Sequence, residues 1–175
     1  MKQIIFIVFL VMIALCGMIA CKSSDVTIDT TSVKHLDLKR FMGRWYEIAR
    51  YDHRFERGMT HVTADYSMLP DGKIRVVNRG IKDEKPKEVT GTARQPDPIN
   101  YPGRLEVSFF LWFYSDYYVF LVDKNYQYAI IGSSSDDYLW ILSRTPQLSP
   151  AVMEVLLQDI RNRGYDLQRL VYVQQ

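Results

Sequence analysis

Between Leu36 and Leu142 the chain runs in strand-length segments divided by turn signals, the pattern of a sandwich or barrel of half-buried strands. The clearest segment is Val62 to Leu69. Val62, Ala64, Tyr66 and Met68 fall on one face, and Thr63, Asp65 and Ser67 on the other. Pro70, Asp71 and Gly72 then form a turn, because Pro presets φ and Gly tolerates positive φ. Ile74, Val76 and Asn78 continue on the dry face of the next strand. Further strands are expected at Trp45 to Tyr51, Lys87 to Arg94 (Val89, Gly91 and Ala93 inward) and Arg104 to Phe109. A loop carrying Pro96, Pro98 and Pro102 separates the last two.

Asp116 to Val122, Tyr126 to Gly132 and Tyr138 to Ser143 are apolar on both faces, so both faces need cover. The chain supplies it. Ser149 and Pro150 are an N-cap and a first-turn proline. Val152, Val155, Leu156 and Ile160 then recur at helical spacing, giving about four turns that end near Gly164. Leu170 to Val173 is a last short strand. The expected fold is all-β: an eight-stranded antiparallel up-and-down barrel, one C-terminal α-helix packed on its outside, and a short final strand. The barrel domain takes residues 35–175.

The N-terminus has another character. Lys2 supplies a positive charge, and Ile4 to Ala20 is continuously apolar or small, as in a secretory signal. It ends at Met18, Ile19, Ala20 and Cys21, the lipobox pattern of bacterial lipoproteins. Residues 1–20 are therefore expected to be a signal peptide, with Cys21 as the lipid attachment. An uncleaved transmembrane anchor is the alternative, since the stretch approaches the ~20 residues needed to span a bilayer. Residues 21–34 read as a polar tether. Lys22 stands where an inner-membrane retention signal would carry aspartate, which points to the outer membrane. The only cysteines are Cys16 and Cys21, so the mature domain has no disulfide and relies on packing. A formal charge of +2 with no basic run excludes a nucleic-acid footprint. The 12 tyrosines suit strands and half-polar linings.

Gly43, Arg44, Trp45 and Tyr46 follow the short apolar turn Leu38 to Met42. Asp123 to Ala129 lies between strands six and seven, and Arg144 just past strand eight. These three segments, in this order, resemble the signature of the lipocalins. Val77 to Gly80 and Tyr138 to Pro146 are similar to the bacterial lipocalins, a subgroup related to apolipoprotein D and the plant temperature-induced lipocalins. The resemblance covers about Leu36 to Val173. It implies a carrier of a small hydrophobic or amphiphilic ligand, such as a fatty acid or lysophospholipid, for membrane maintenance or stress response. It also implies that Arg144 stacks on Trp45 at the closed end, a structural signature with Gly43. The aromatic hairpin Phe110 to Tyr114 departs from the family pattern; it could rim the barrel, touch a membrane, join a homodimer or fold over the mouth.

The candidate ligand-binding residues are Glu47, Asn78, Phe109, Tyr118, Tyr138 and Trp140. Glu47 shares strand parity with Trp45, and Asn78 with Val76, so both are expected to face the apolar interior. Buried polar groups need partners. Either they orient a ligand's polar head, or they pair with Arg79, a tyrosine or water. Tyr138 and Trp140, with Phe109 and either Tyr118 or Tyr117, would form an aromatic wall. Gly91 and Ala93 leave space inside. His35, His53 and His61 lack metal-ligand spacing, and no nucleophile motif is present, so no metal, cofactor or catalytic residue is expected. Two other readings are a filled barrel acting in protein interaction and an enzyme on the same fold.

Overall fold

The computed structural model describes residues 27–175. The expected signal peptide and lipid attachment at Cys21 lie outside the described residues. Strands β1 (Gly43–Tyr51), β2 (Thr60–Met68), β3 (Ile74–Lys82), β4 (Lys85–Arg94), β5 (Arg104–Phe110), β6 (Phe113–Val122), β7 (Tyr128–Gly132) and β8 (Leu139–Ser143) each pair antiparallel with their sequence neighbours. β1 pairs with both β8 and β2, so the sheet closes on itself and leaves no free edge among the eight. β9 (Leu170–Tyr172) adds to the far half of β1, with Ala49 opposite Tyr172.

Helix α1 (Leu38–Phe41) precedes β1, and the Asp37 side chain caps it by accepting from the backbone N–H groups of Lys39 and Arg40. Helix α2 (Pro150–Asn162) follows β8; the Ser149 side chain caps it and Pro150 occupies its first turn. Leu156 and Ile160 of α2 pack on Ala49, Phe120, Ile130, Leu139 and Ile141. The doubly apolar strands thus have helix on one side and barrel interior on the other. The interior cluster contains Trp45, Tyr66, Ile74, Val76, Ala93, Leu105, Val119, Ile131 and Leu142.

Two departures from the sequence reading matter. A β-bulge falls between Glu47 and Ala49, where Glu47 faces Leu142 and Ala49 faces Ile141.

 The extra residue, Ile48, shifts the alternation. Ala49 and Tyr51 therefore face α2, and Arg50 turns into the barrel opposite Trp140. The second departure concerns the tether, read from the sequence as residues 21–34. Its later part is docked: the Asp29 N–H donates to Arg163 O at 2.9 Å and the Val33 N–H to Val119 O at 2.9 Å. The Arg163 guanidinium, which is mostly buried, collects the carbonyls of Asp29, Thr31 and Phe120. A cation held against the barrel wall needs acceptors, and this stretch of backbone supplies them.

Candidate functional site at the barrel mouth

β1 starts at the end covered by α1, so the connections at residues 52–59, 83–84, 111–112 and 133–138 all lie at the opposite end. The covered end is closed by Trp45. Its indole N–H donates to Phe41 O at 2.8 Å, and the Arg144 guanidinium lies 3.8 Å from its ring centroid. Arg144 also donates to the carbonyls of Arg40, Met42 and Arg44. It thereby ties α1 to β1 and satisfies backbone acceptors of a short helix that has few of its own partners. Gly43 adopts φ 92° directly under this guanidinium, a conformation that favours glycine.

The other half of the interior is polar. Glu47 and Arg50 are both buried, with Arg50 Nη1 2.7 Å from Glu47 Oε1. The β1–β2 connection folds back over them. Arg50 Nη2 donates to Glu56 O at 2.7 Å, and the Trp140 indole N–H donates to Glu56 Oε2 at 3.1 Å. His53 stacks on Phe55 at 4.4 Å and lies 4.8 Å from Trp140. Its Nδ1 is 3.3 Å from Glu56 Oε2 but out of line for a hydrogen bond, and neither ring nitrogen has a partner.

The Glu47 carboxyl thus pairs with the Arg50 guanidinium in a poorly solvated place, while the Glu56 carboxyl meets Trp140 and feels the same positive charge without touching it. Burial, reinforced by the neighbouring Glu56, pushes Glu47 up to about 8 against the pull of Arg50. Burial also raises Glu56, opposed by the Trp140 hydrogen bond and by Arg50. Burial and then the Arg50 charge push His53 down to about 4. At neutral pH burial thus favours the protonated form of Glu47 and the neutral form of His53.

The structure distributes the sequence candidates unevenly. Glu47, Asn78 and Trp140 face the interior. Asn78 lies on the inner face with Ile74 and Val76, between Ala64 and Val89 of the neighbouring strands. Its buried amide oxygen has no hydrogen-bond partner. Tyr138 is at the rim, stacked on Trp140 at 6.0 Å. Phe109 is also at the rim, and its ring would lie 2.6 Å from a Cβ placed on Gly91. The space expected over Gly91 is therefore occupied by this ring. Tyr118 requires a correction: it packs in the outer cluster under α2, with the Arg104 guanidinium 4.9 Å from its ring. Tyr117 is the inward residue of the pair, its hydroxyl 2.9 Å from that of Tyr66. Arg79 is not the partner of Glu47 or Asn78. It bridges Asp65 and Glu88 on the outer surface.

Arg50, His53 and Glu56 escaped the sequence reading. Strict alternation sends Arg50 outward, and the other two stand in a connection without periodicity. The available signal was an arginine in β1 three positions from an inward glutamate. A cleft of about 370 Å³ at the rim is lined by Tyr51, Asp52, His53, Asp137, Tyr138 and Arg169. Among the described residues no group of three or more His, Cys, Asp and Glu is arranged to hold a metal ion.

A closed eight-stranded barrel, one outer helix and an arginine lying on the Trp45 ring define the class of protein, and residues 36–175 match the lipocalin-like domain: the chain belongs to the lipocalin family. Among individual relatives it is similar to the outer membrane lipoprotein Blc of Vibrio cholerae, with 44% identity covering 82% of this chain and 85% of the relative. It is also similar to temperature-induced lipocalin-1 of Arabidopsis thaliana, with 37% identity covering 79% and 78%. Among solved structures, insecticyanin from the tobacco hornworm Manduca sexta superposes with a TM-score of 0.71 at 21% identity, covering 84% of this chain and 85% of that one. This last likeness concerns the fold.

Proposed function

We propose that this lipocalin is anchored at the outer membrane through a lipidated Cys21 and carries a fatty acid or lysophospholipid in its barrel. The ligand's polar group would lie among Glu47, Arg50, Glu56 and Asn78, with Phe109, Tyr117, Tyr138 and Trp140 along its path. The Asn78 amide oxygen carries this reading. Buried polar atoms are nearly always paired, and this one faces the interior without a partner. A lysophospholipid hydroxyl or a protonated fatty-acid carboxyl that reaches Asn78 would donate to it, whereas an ionised carboxylate would not. The similarity to relatives named outer membrane lipoprotein Blc and the lipobox ending at Cys21 support the anchoring. The role is binding rather than catalysis: the buried acids engage a structural arginine and an indole.

Titration with fatty acids and lysophospholipids of defined head group tests this. Asn78→Leu is expected to weaken binding of the preferred lipid about tenfold, on the scale of one lost hydrogen bond. Unchanged affinity for every lipid class would remove Asn78 from the site.

A further inference from the structure

We propose that the hairpin tip Phe110–Phe113 is a lipid-surface contact: it seats in the bilayer that holds the anchor and turns the barrel mouth toward that membrane. The proposal rests on anchoring at Cys21. β5 and β6 remain paired as far as Phe110 and Phe113, and Leu111 with Trp112 makes the turn. The four side chains are exposed: Phe110 by 68%, Leu111 by 63%, Trp112 by 73% and Phe113 by 63%. Their rings stack on one another, Phe110 with Phe113 and Trp112 with Phe113, and do not fold over the mouth. Four contiguous exposed apolar residues mark an interaction. This one is a narrow, convex projection ending in a tryptophan, a side chain suited to the membrane–water boundary.

The backbone adds an independent observation. Leu111 has φ 53°, a conformation that favours glycine or asparagine and that a leucine adopts at a cost. The Leu111 side chain touches no core in return, so its use lies outside the fold. Ser108 Oγ donates to Leu111 O at 3.3 Å and holds the turn in place.

The length of chain beyond the described residues selects the occupant. Ile28 packs in the outer cluster with Phe120, and Arg163 ties Asp29 to Phe120 O. Ile28 is seven positions from Cys21, a reach of at most ~25 Å. Along β6 the tip residue Phe113 is also seven positions from Phe120, or about 23 Å. A lipid on Cys21 can therefore reach the level of the tip. Phe55, 61% exposed on the β1–β2 connection at the same rim, offers a second apolar contact.

The test uses the mature, lipidated protein in vesicles of phosphatidylethanolamine and phosphatidylglycerol, with and without bromine on the acyl chains. Flotation reports the anchor. The emission of wild type minus that of Trp112→Leu reports the tip, since the other tryptophans, Trp45 and Trp140, are inside the barrel. We expect the Trp112 emission to shift to the blue, to lose most of its intensity to brominated lipid and to resist aqueous iodide. Leu111→Asn, which suits the backbone and keeps the fold, should float normally and lose most of the bromolipid quenching. Wild type that fails to float overturns the anchoring and the proposal with it. Flotation with Trp112 quenched by iodide and untouched by bromolipid overturns the proposal alone. Protection from both quenchers that rises with protein density would assign the tip to a second copy of the chain and overturn it too.

Discussion

Arg50 reaches Glu47 across one bulge in β1, its Nη1 2.7 Å from Glu47 Oε1. Both groups are buried, and Glu56 is a second acid with a claim on the same cation. The pair has a measurable consequence. Glu47 in the folded protein sits near 8, above its ordinary 4.5, so the folded state binds this proton more tightly than the unfolded state. Its contribution to stability is greatest below 4.5 and is lost as pH rises toward 8. His53 acts oppositely, since it is pushed down to about 4 from 6.5: stability is gained as pH rises from 4 to 6.5 and is constant above. The interval from 6.5 to 8 therefore separates Glu47 from His53. The melting temperature is expected to fall across it, and Glu47→Gln should flatten that fall by leaving one acid for one guanidinium. Thermal melts at a series of pH values check this; a wild-type melting temperature that rises over the interval contradicts the upward shift of Glu47.

Arg50→Met removes the cation that pairs with Glu47 and favours the ionised form of both acids. The expected loss at pH 8 is about 3–5 kcal/mol, the scale of a broken buried pair. The loss should shrink near pH 5, where Glu47 is protonated and no longer needs the cation. Urea denaturation at the two pH values gives the comparison.

The outline of the fold was legible because strand alternation, the Ser149–Pro150 cap and the turn at Pro70 to Gly72 are local signals. The site was less legible because a bulge is not. Inserting Ile48 costs one residue of register and sends Arg50 inward, a change that parity counting from Trp45 reverses. Tyr117 and Tyr118 stand in a strand apolar on both faces, so hydrophobicity alone could not choose between them. The structure chooses Tyr117, whose hydroxyl finds Tyr66. His53 and Glu56 lie in a connection where only the folded chain brings them to Trp140.

Arg144 serves the closed end through its flat, forked guanidinium. Arg144→Met is expected to cost about 2–3 kcal/mol, from the lost ring contact and from carbonyls of α1 and β1 left with fewer donors. Arg144→Lys should recover only part of this, since an ammonium cannot span several carbonyls from above the ring. Chemical denaturation of both variants orders them; a lysine variant equal to wild type would contradict the role given to the fork.

Phe109 covers Gly91 at the rim. Phe109→Ala should leave stability within about 1–2 kcal/mol, below the cost of emptying a closed core because the ring is partly exposed. It should widen the ligands accepted toward bulkier chains. Gly91→Ala brings a methyl to 2.4 Å from the Ser108 carbonyl oxygen, a backbone clash that Phe109→Ala cannot relieve, so the double variant should remain as unstable as Gly91→Ala. Melting temperatures of the three variants decide.

Asn78 separates a binding residue from a structural one. In the empty protein Asn78→Leu removes an unpaired buried acceptor, so stability is expected to stay level or rise by about 1 kcal/mol. Affinity should fall in the same variant. A loss of both would assign Asn78 to the internal framework.

The central claim is that the barrel carries an amphiphile. Native mass spectrometry of the chain from residue 22 onward, followed by solvent extraction and identification of what is released, tests it most directly. A fatty acid or lysophospholipid is expected at near-stoichiometric amount, lost in part from Asn78→Leu. A protein that emerges empty and takes up no added lipid of either class would contradict it and leave the barrel as a filled scaffold.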